Sequence, residues 1–362
     1  MARARRQHVV SRFYLNGFAS DRGLLRRVAL PGDVTHLVSV NDATVIKDFY
    51  SIELGGELDD YFEQQFARVE RRAADAMRLA LAGSEWPLPP RDKAALASWI
   101  ALQHLRAESV RTGQQQIRAD TIRLLVGASG KKALRGHIEA AEGAPISEAR
   151  LDAEWTDFVK PGGPTLEPDA ADHLRTVVEM HVPTAEMLRA MQWSLDIFER
   201  RSLITCDHPV VLLPNEDHPR WMGLGIFNAG GFAIALSRRR ALVIGSSPDL
   251  PDLRLPGTTN MARSINSHIA RNARHSIYHH PDDAHVVAEL TLPDRRTREF
   301  ESSGDGLIRE EGLFAGLSES QLKAFSGISG GDGKGFTLSD LPWPVPGRVF
   351  SWTEQPAADG DG

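Results

Sequence analysis

A change of hydrophobic period near Trp193 constrains this chain more than any other feature. Upstream of it, Phe62, Phe66, Val69, Ala73, Met77 and Ala80 recur at three- and four-residue steps, the period of one helical face. This predicts an amphipathic helix over 57–82, ended by Gly83 and the Pro87, Pro89 and Pro90 cluster. Pro90 opens a second long helix that runs through Leu96, Trp99 and Leu102 to about Val126. More helix is expected at 167–180 and 183–192, and 146–166 reads as a surface connection. Downstream of Trp193, short apolar runs lie between turn signals at 193–198, 202–205, 210–213, 232–236 and 241–244. They read as strands of one sheet, antiparallel because the gaps are short. A helix over 259–275 and a last strand over 286–290 follow. Residues 22–53 alternate apolar and polar, which predicts short strands broken at Pro31, Gly32 and Asp33.

The expectation is an α+β fold, with a helical half of long antiparallel helices packed with a mostly antiparallel sheet. Residues 1–300 form a single main domain on this reading, with the opening segment and helical half at 1–192 and the sheet half at 193–300. Residues 301–362 hold 12 of the 31 glycines and ten acidic against four basic residues. They read as an acidic, glycine-rich, partly disordered tail. Ser318 and Gln321 have capping-box spacing for a short helix over 318–325, and Trp343 and Trp352 can pin part of the tail to the body.

Hydrophobic residues make up 41% and charged residues 25%, which suits a buried core and argues against global disorder. Cys206 is the single cysteine, so an internal disulfide and a cysteine-rich zinc module are excluded. No apolar run reaches the ~20 residues of a membrane span. The basic start, Met1 to Arg6, is not followed by an apolar segment, so no signal peptide is expected. The expected compartment is the cytoplasm, with no membrane partner. The net charge of −6 resides in the tail. The remaining residues are balanced and carry no overall nucleic-acid signature. Local basic faces remain at Arg68, Arg71, Arg72 and Arg78, and at Arg263, Arg271 and Arg274.

Several motifs fail on context. Gly327-Ile328-Ser329-Gly330-Gly331 fits G-x-S-x-G but lacks the flanking strand and helix of a nucleophile elbow. Arg263 and His268 have the R-x4-H spacing of helical ribonucleases, yet on one helix they lie about 140° apart. Cys206-Asp207-His208-Pro209 is stronger, because it ends a predicted strand. There Asp207 or His208 can serve as ligand, base or orienting group, or Asp207 can cap the turn through its own backbone. On the second helix Gln103 and Arg106 continue the apolar stripe of Leu96 and Trp99, and Glu70 borders the stripe of the helix before it. Such residues either form a Glu–Arg pair between packed helices or mark the edge of a cavity. The opening segment, Gln7 to Phe18, sets His8 and Tyr14 among large apolar residues and is expected to pack on the body.

The same residues carry a resemblance. His8-x-Val10-x-x-x-Tyr14-Leu15-x-x-Phe18, Lys47-Asp48-Phe49-Tyr50-Ser51-Ile52-Glu53, Glu70, Gln103-x-x-Arg106, Ile204 to Val210, Asn266 and Ala273-x-x-x-Ile277-Tyr278 occur in one order over about 7–280. In this the chain resembles the bacterial domain-of-unknown-function family 4238. It departs at Ser11, Cys206 and His208, where that family usually has Pro, Ser and Asn. The resemblance implies a cytoplasmic protein of one main domain, in a family with some members associated with phage defence, and implies no established reaction.

Two functional readings follow. In the first, the chain is a hydrolase, a nuclease or similar, acting on a phosphodiester of RNA, DNA or a nucleotide. His8 is then the acid/base, Arg106 holds the phosphate, and Asp48 or Asp207 orients His8 or binds a divalent metal. Tyr14, Glu70, Gln103, His208, Asn266 and Tyr278 complete the binding set. In the second, the chain is a non-catalytic sensor or binding protein, and the same polar set is a structural network or a ligand pocket. On either reading these regions are expected to converge at one concave site.

Overall fold

The computed structural model describes residues 6–294, apart from 51, 55–56, 60, 84, 167–169, 220–222 and 246–249, together with 308–312. In chain order the elements are β1 (Arg6–His8), α1 (Arg12–Leu15), β2 (Leu24–Ala29), β3 (Val34–Ser39), β4 (Val45–Lys47), β5 (Ile52–Leu54), β6 (Glu57–Asp59), α2 (Tyr61–Ala82) and α3 (Pro90–Leu105). Then come α4 (Glu108–Ser129), α5 (Lys131–Glu142), α6 (Glu148–Val159), α7 (Ala170–Ala190), β7 (Gln192–Ile197), β8 (Thr205–Cys206) and β9 (Val211–Leu213). The last are β10 (Gly231–Ser237), β11 (Arg240–Gly245), β12 (Leu253–Pro256), α8 (Thr259–Asn272), β13 (Ser276–His279) and α9 (Ala284–Val287). The fold is α+β, and most strand pairs are antiparallel. No helix among the described residues is long and apolar enough to cross a membrane. The helix expected over 318–325, and Trp343 and Trp352, lie outside the described residues.

The chain divides into two compact units, one drawn from 1–112 and 169–295, the other from 113–168 and 296–362. In the first, α3 is the central helix. It opens on Pro90 with Asp92 in the first turn, and every residue from Leu96 to Leu105 except Ser98 is buried. A helix buried on nearly all sides needs neighbours on each, and α3 has α2 and α7 beside it. Phe66, Ala73, Ala76, Met77 and Ala80 form the buried face of α2. The five-stranded sheet runs β12-β7-β11-β10-β9, with β12 parallel to β7. The four-stranded sheet runs β3-β2-β13-β8, all antiparallel. One core joins Tyr14, Leu15 and Phe18 of the opening segment to Trp99 of α3, Trp193 of β7 and the inner face of β10 and β11. Gly17 lies against the backbone of β10, where an added Cβ would meet the Leu236 carbonyl at 2.7 Å. The Gly17 carbonyl accepts from the Arg238 amide, so the opening segment is stitched to the sheet.

The second unit packs Leu134, Leu151 and Trp155 with Ile146 in its own small core, flanked by Val126, Phe158 and Ile308. Gly130, at φ +85°, turns the chain from α4 into α5, and a Cβ added there would meet the Gly312 backbone amide at 2.5 Å.

The structure corrects several expectations. The helix expected to run unbroken from Pro90 to Val126 stops at Leu105 and restarts at Glu108. No glycine or proline marks this break. Its backbone is satisfied by the Arg106 and Ala107 amides on the Leu102 and His104 carbonyls, and by the Tyr50 hydroxyl on the Arg106 carbonyl. The expected surface connection at 146–166 contains α6, capped by the Ser147 hydroxyl on the Arg150 amide and held by Leu151 and Trp155. The expected gap at 181–182 is absent, since α7 continues through Pro183. The expected single sheet is two, because β8 pairs with β13 rather than with its neighbours in sequence. The strand expected over 286–290 is replaced at its start by α9, which follows a 3-10 turn opened by Pro281 and capped by His280. α8 ends at Asn272, short of the expected 275.

Phe18 is fully buried where the opening segment meets the core. Phe18→Ala is expected to lower the unfolding free energy by about 3–5 kcal/mol, measured by urea denaturation.

Candidate functional site

Ser11 is the centre of a buried polar knot. Its hydroxyl accepts from Trp99 Nε1 at 2.8 Å and from Arg106 Nη2 at 2.7 Å, and donates to Glu70 Oε1 at 2.8 Å. One donor and two acceptor positions are all a hydroxyl has, so Ser11 is saturated. Arg106 Nη1 pairs with Glu70 Oε1 at 2.8 Å, and Arg106 Nη2 also reaches Gln103 Oε1 at 2.9 Å. Gln103 Nε2 donates to the Val9 carbonyl at 2.8 Å. Helix spacing puts Trp99, Gln103 and Arg106 on one stripe of α3, and the opening segment crosses that stripe. Arg106 is 2% exposed and its Nε is buried without a hydrogen-bond partner.

His8, Glu70 and Arg106 line a cavity of about 290 Å³, with Arg12 and Glu63 beside them. Burial and the Arg12 cation lower the proton affinity of His8, against backbone groups of Asn41 and Val40 and the Glu70 carboxylate. Its Nε2 is buried with no hydrogen-bond partner.

Asp207, His208 and Tyr278 line a different cavity, of about 170 Å³, with Glu108, Ser109 and His275. Arg27 and Arg274 also face it. β8 delivers Asp207 at its end, and the chain leaving α8 turns around that carboxylate. Asp207 Oδ1 accepts the Arg274 amide at 2.8 Å, and Oδ2 accepts those of His275 at 2.6 Å and Ser276 at 3.1 Å. Burial raises the Asp207 carboxyl, against these donors. The restart of the chain at α4 brings in the other wall. Ser109 Oγ lies 2.8 Å from His208 Nδ1, and His275 Nε2 lies 2.9 Å from Glu108 Oε2. The hydrogen bond from His275 holds Glu108 below the usual carboxylate range. His208 stacks on His104 with ring centroids 5.5 Å apart. Burial pushes the Tyr278 phenol up to about 12.

The other expected residues lie elsewhere. Tyr14 OH pairs with Thr205 Oγ1 at 2.6 Å in the core. Asn266 Oδ1 accepts the Ile204 amide at 3.0 Å and its Nδ2 donates to the Ser202 carbonyl at 3.0 Å, which clamps α8 to the approach to β8. Asp48 is half-buried at φ +52°, with Oδ1 unpartnered, and lines neither cavity. Burial raises the Cys206 thiol well above its usual value, so it is a protonated core group. Among the described residues no group of three or more His, Cys, Asp or Glu side chains is arranged to hold a metal ion. Glu108, Ser109, Arg27 and His275 were not singled out by sequence. Arg27 sits in an alternating strand, and the other three flank helix ends that periodicity misplaces.

A family model described as "Protein of unknown function (DUF4238)" matches residues 6–283. The comparisons find no similar curated protein and no similar solved structure.

Arg106→Ala leaves Glu70 and Gln103 without their cation. It is expected to lower the unfolding free energy by about 3 kcal/mol, read by urea denaturation. Burial lowers both His104 and His173 to about 4 from 6.5. The unfolded chain therefore binds protons first, so stability is full above pH 6.5 and falls as pH drops toward 4. His104→Gln should flatten that slope by about one proton. Parallel pH profiles of the urea midpoint for the two proteins would refute the assignment.

Proposed function

We propose a function for this chain, which belongs to the family of proteins of unknown function DUF4238: it is a hydrolase that acts on a phosphodiester in the cavity around Asp207. The observation that carries the reading is the His275–Glu108 pair, 2.9 Å apart and half-exposed, in a cavity that Arg27 and Arg274 also face. Guanidinium groups bind phosphate oxygens bidentately. The Glu108 carboxylate fixes the orientation of the His275 imidazole through this hydrogen bond. His275 takes a proton from an attacking water as the new P–O bond forms, and returns it to the ester oxygen as that bond breaks. Asp207 is a positioning residue. Its three amide contacts hold the turn that carries Arg274 and His275.

This reading moves the chemistry away from His8 and Arg106. Arg106 is enclosed by Ser11, Gln103 and Glu70, which supports a structural role. At about 170 Å³ the cavity is smaller than the roughly 300–1,000 Å³ of whole-ligand pockets. It suits a phosphate and the edge of its sugar, with the rest of an RNA, DNA or nucleotide substrate outside. The same size supports a second reading, in which the phosphate is held without turnover by a sensor.

The test is incubation of the purified protein with RNA, single- and double-stranded DNA and dinucleotides, with and without Mg²⁺ or Mn²⁺. Cleavage is expected, and His275→Ala should lower its rate about 100-fold or more with the melting temperature kept. Binding without cleavage in every condition would replace the hydrolase by the sensor.

A further inference from the structure

The five-stranded sheet ends in a second, larger cavity that the proposed reaction does not use. At its centre is the end of β7. Arg240 of β11 stands opposite Ile197, and Arg254 of the parallel neighbour β12 stands opposite Leu195. The chain leaving β7 adds Glu199, Arg200 and Arg201, and the chain leaving β12 adds Gly257, Thr258 and the first residues of α8. The volume of this open cavity is about 840 Å³. Four arginines thus face one carboxylate among the lining residues. Arg201 is tied to Glu289 at 2.6 Å, and Arg240 Nη1 donates to the Arg239 carbonyl at 3.1 Å. The Nε of Arg240 is buried without a hydrogen-bond partner. Burial and the like charge of Arg254 both lower the proton affinity of Arg240. Glu199 offsets part of this, and the lining keeps an excess of cations over carboxylates that suits an anionic ligand.

Two further features fit such an anion. Thr258 caps α8 on the Met261 amide at 3.2 Å, so the amide end of a 14-residue helix opens on the same cavity, and helix N-termini favour phosphate. One wall is apolar: Ile197 stands opposite Pro256 across the β7–β12 pair, on the same sheet face as Arg240 and Arg254. The volume falls within the range of small-molecule and cofactor sites. We propose that this cavity binds a nucleoside polyphosphate, with its phosphates on Arg240, Arg254 and the α8 N-terminus and its base on the Ile197 and Pro256 wall. The proposal is independent of the chemistry assigned to the cavity around Asp207.

The experiment is titration calorimetry of the full chain with ATP, GTP, inorganic triphosphate and a single-stranded oligonucleotide at fixed salt. The expected result is nucleotide binding tighter than that of inorganic triphosphate. Arg240→Gln with Arg254→Gln should weaken it about tenfold or more, as loss of charge-assisted bonds requires. Arg254→Gln alone, at an exposed strand position, should also weaken it and guards against misfolding of the double variant. His275→Ala should bind nucleotide as the wild type does. No nucleotide binding by the wild type, or equal binding by the arginine variants, overturns the proposal. Oligonucleotide bound more tightly than nucleotide through the same arginines would assign the cavity to nucleic acid and overturn it equally.

Discussion

The saturated hydroxyl of Ser11 holds the first unit of this molecule together. It bridges α2, α3 and the opening segment through hydrogen bonds to Glu70, Trp99 and Arg106. A buried arginine is costly unless every part of its charge is met. Here the carboxylate comes from one helix, the amide of Gln103 from its own helix and the hydroxyl from a segment almost a hundred residues away. The aromatic layer of Phe13, Tyr14 and Trp99 then packs around that knot, with ring centroids 5.3 Å apart from Trp99 in both cases. The direction of α3 follows, and with it the point at which the chain breaks at Arg106 and restarts with Glu108 and Ser109 at the cavity around Asp207.

The two groups of polar residues therefore have different work. Those on α2 and α3 bond chiefly to one another and set geometry. Those at the end of β8 and after α8 are held by backbone donors, and they leave His275 and the guanidinium groups of Arg27 and Arg274 at a cavity wall. Asp207 separates the two kinds. Its buried carboxyl accepts three backbone amides and so fixes a turn, and that turn is what presents the imidazole.

The sequence made the α+β class readable, because the stripe of Phe66, Ala73, Met77 and Ala80 and the run from Phe232 to Leu236 have different periods. It also marked Glu70, Gln103, Arg106 and Asp207 as polar groups in apolar surroundings, which is where burial demands a partner. It could not separate the members of that set that close a structural knot from the one that shapes a cavity, since Arg106 and Asp207 look alike until their neighbours are placed. The break after Leu105 was hidden because it is stabilised by Tyr50, more than fifty residues earlier. The assignment of β8 to the second sheet was hidden because its partner β13 follows a helix rather than a hairpin.

That second sheet has a consequence for how the chain is made. Arg27 Nε bonds Ser276 Oγ across 249 residues, and Tyr14 meets Thr205 across 191. β2 is among the first strands to leave the ribosome, and its partner β13 is among the last. Until residue 279 is synthesised, β2 presents an unpaired edge on the side β13 will fill, and such edges recruit other chains. Non-local pairing of this kind is slow to form. From the synthesis of β2 to that of β13, this strand waits for its partner across the 249 residues that separate Arg27 from Ser276.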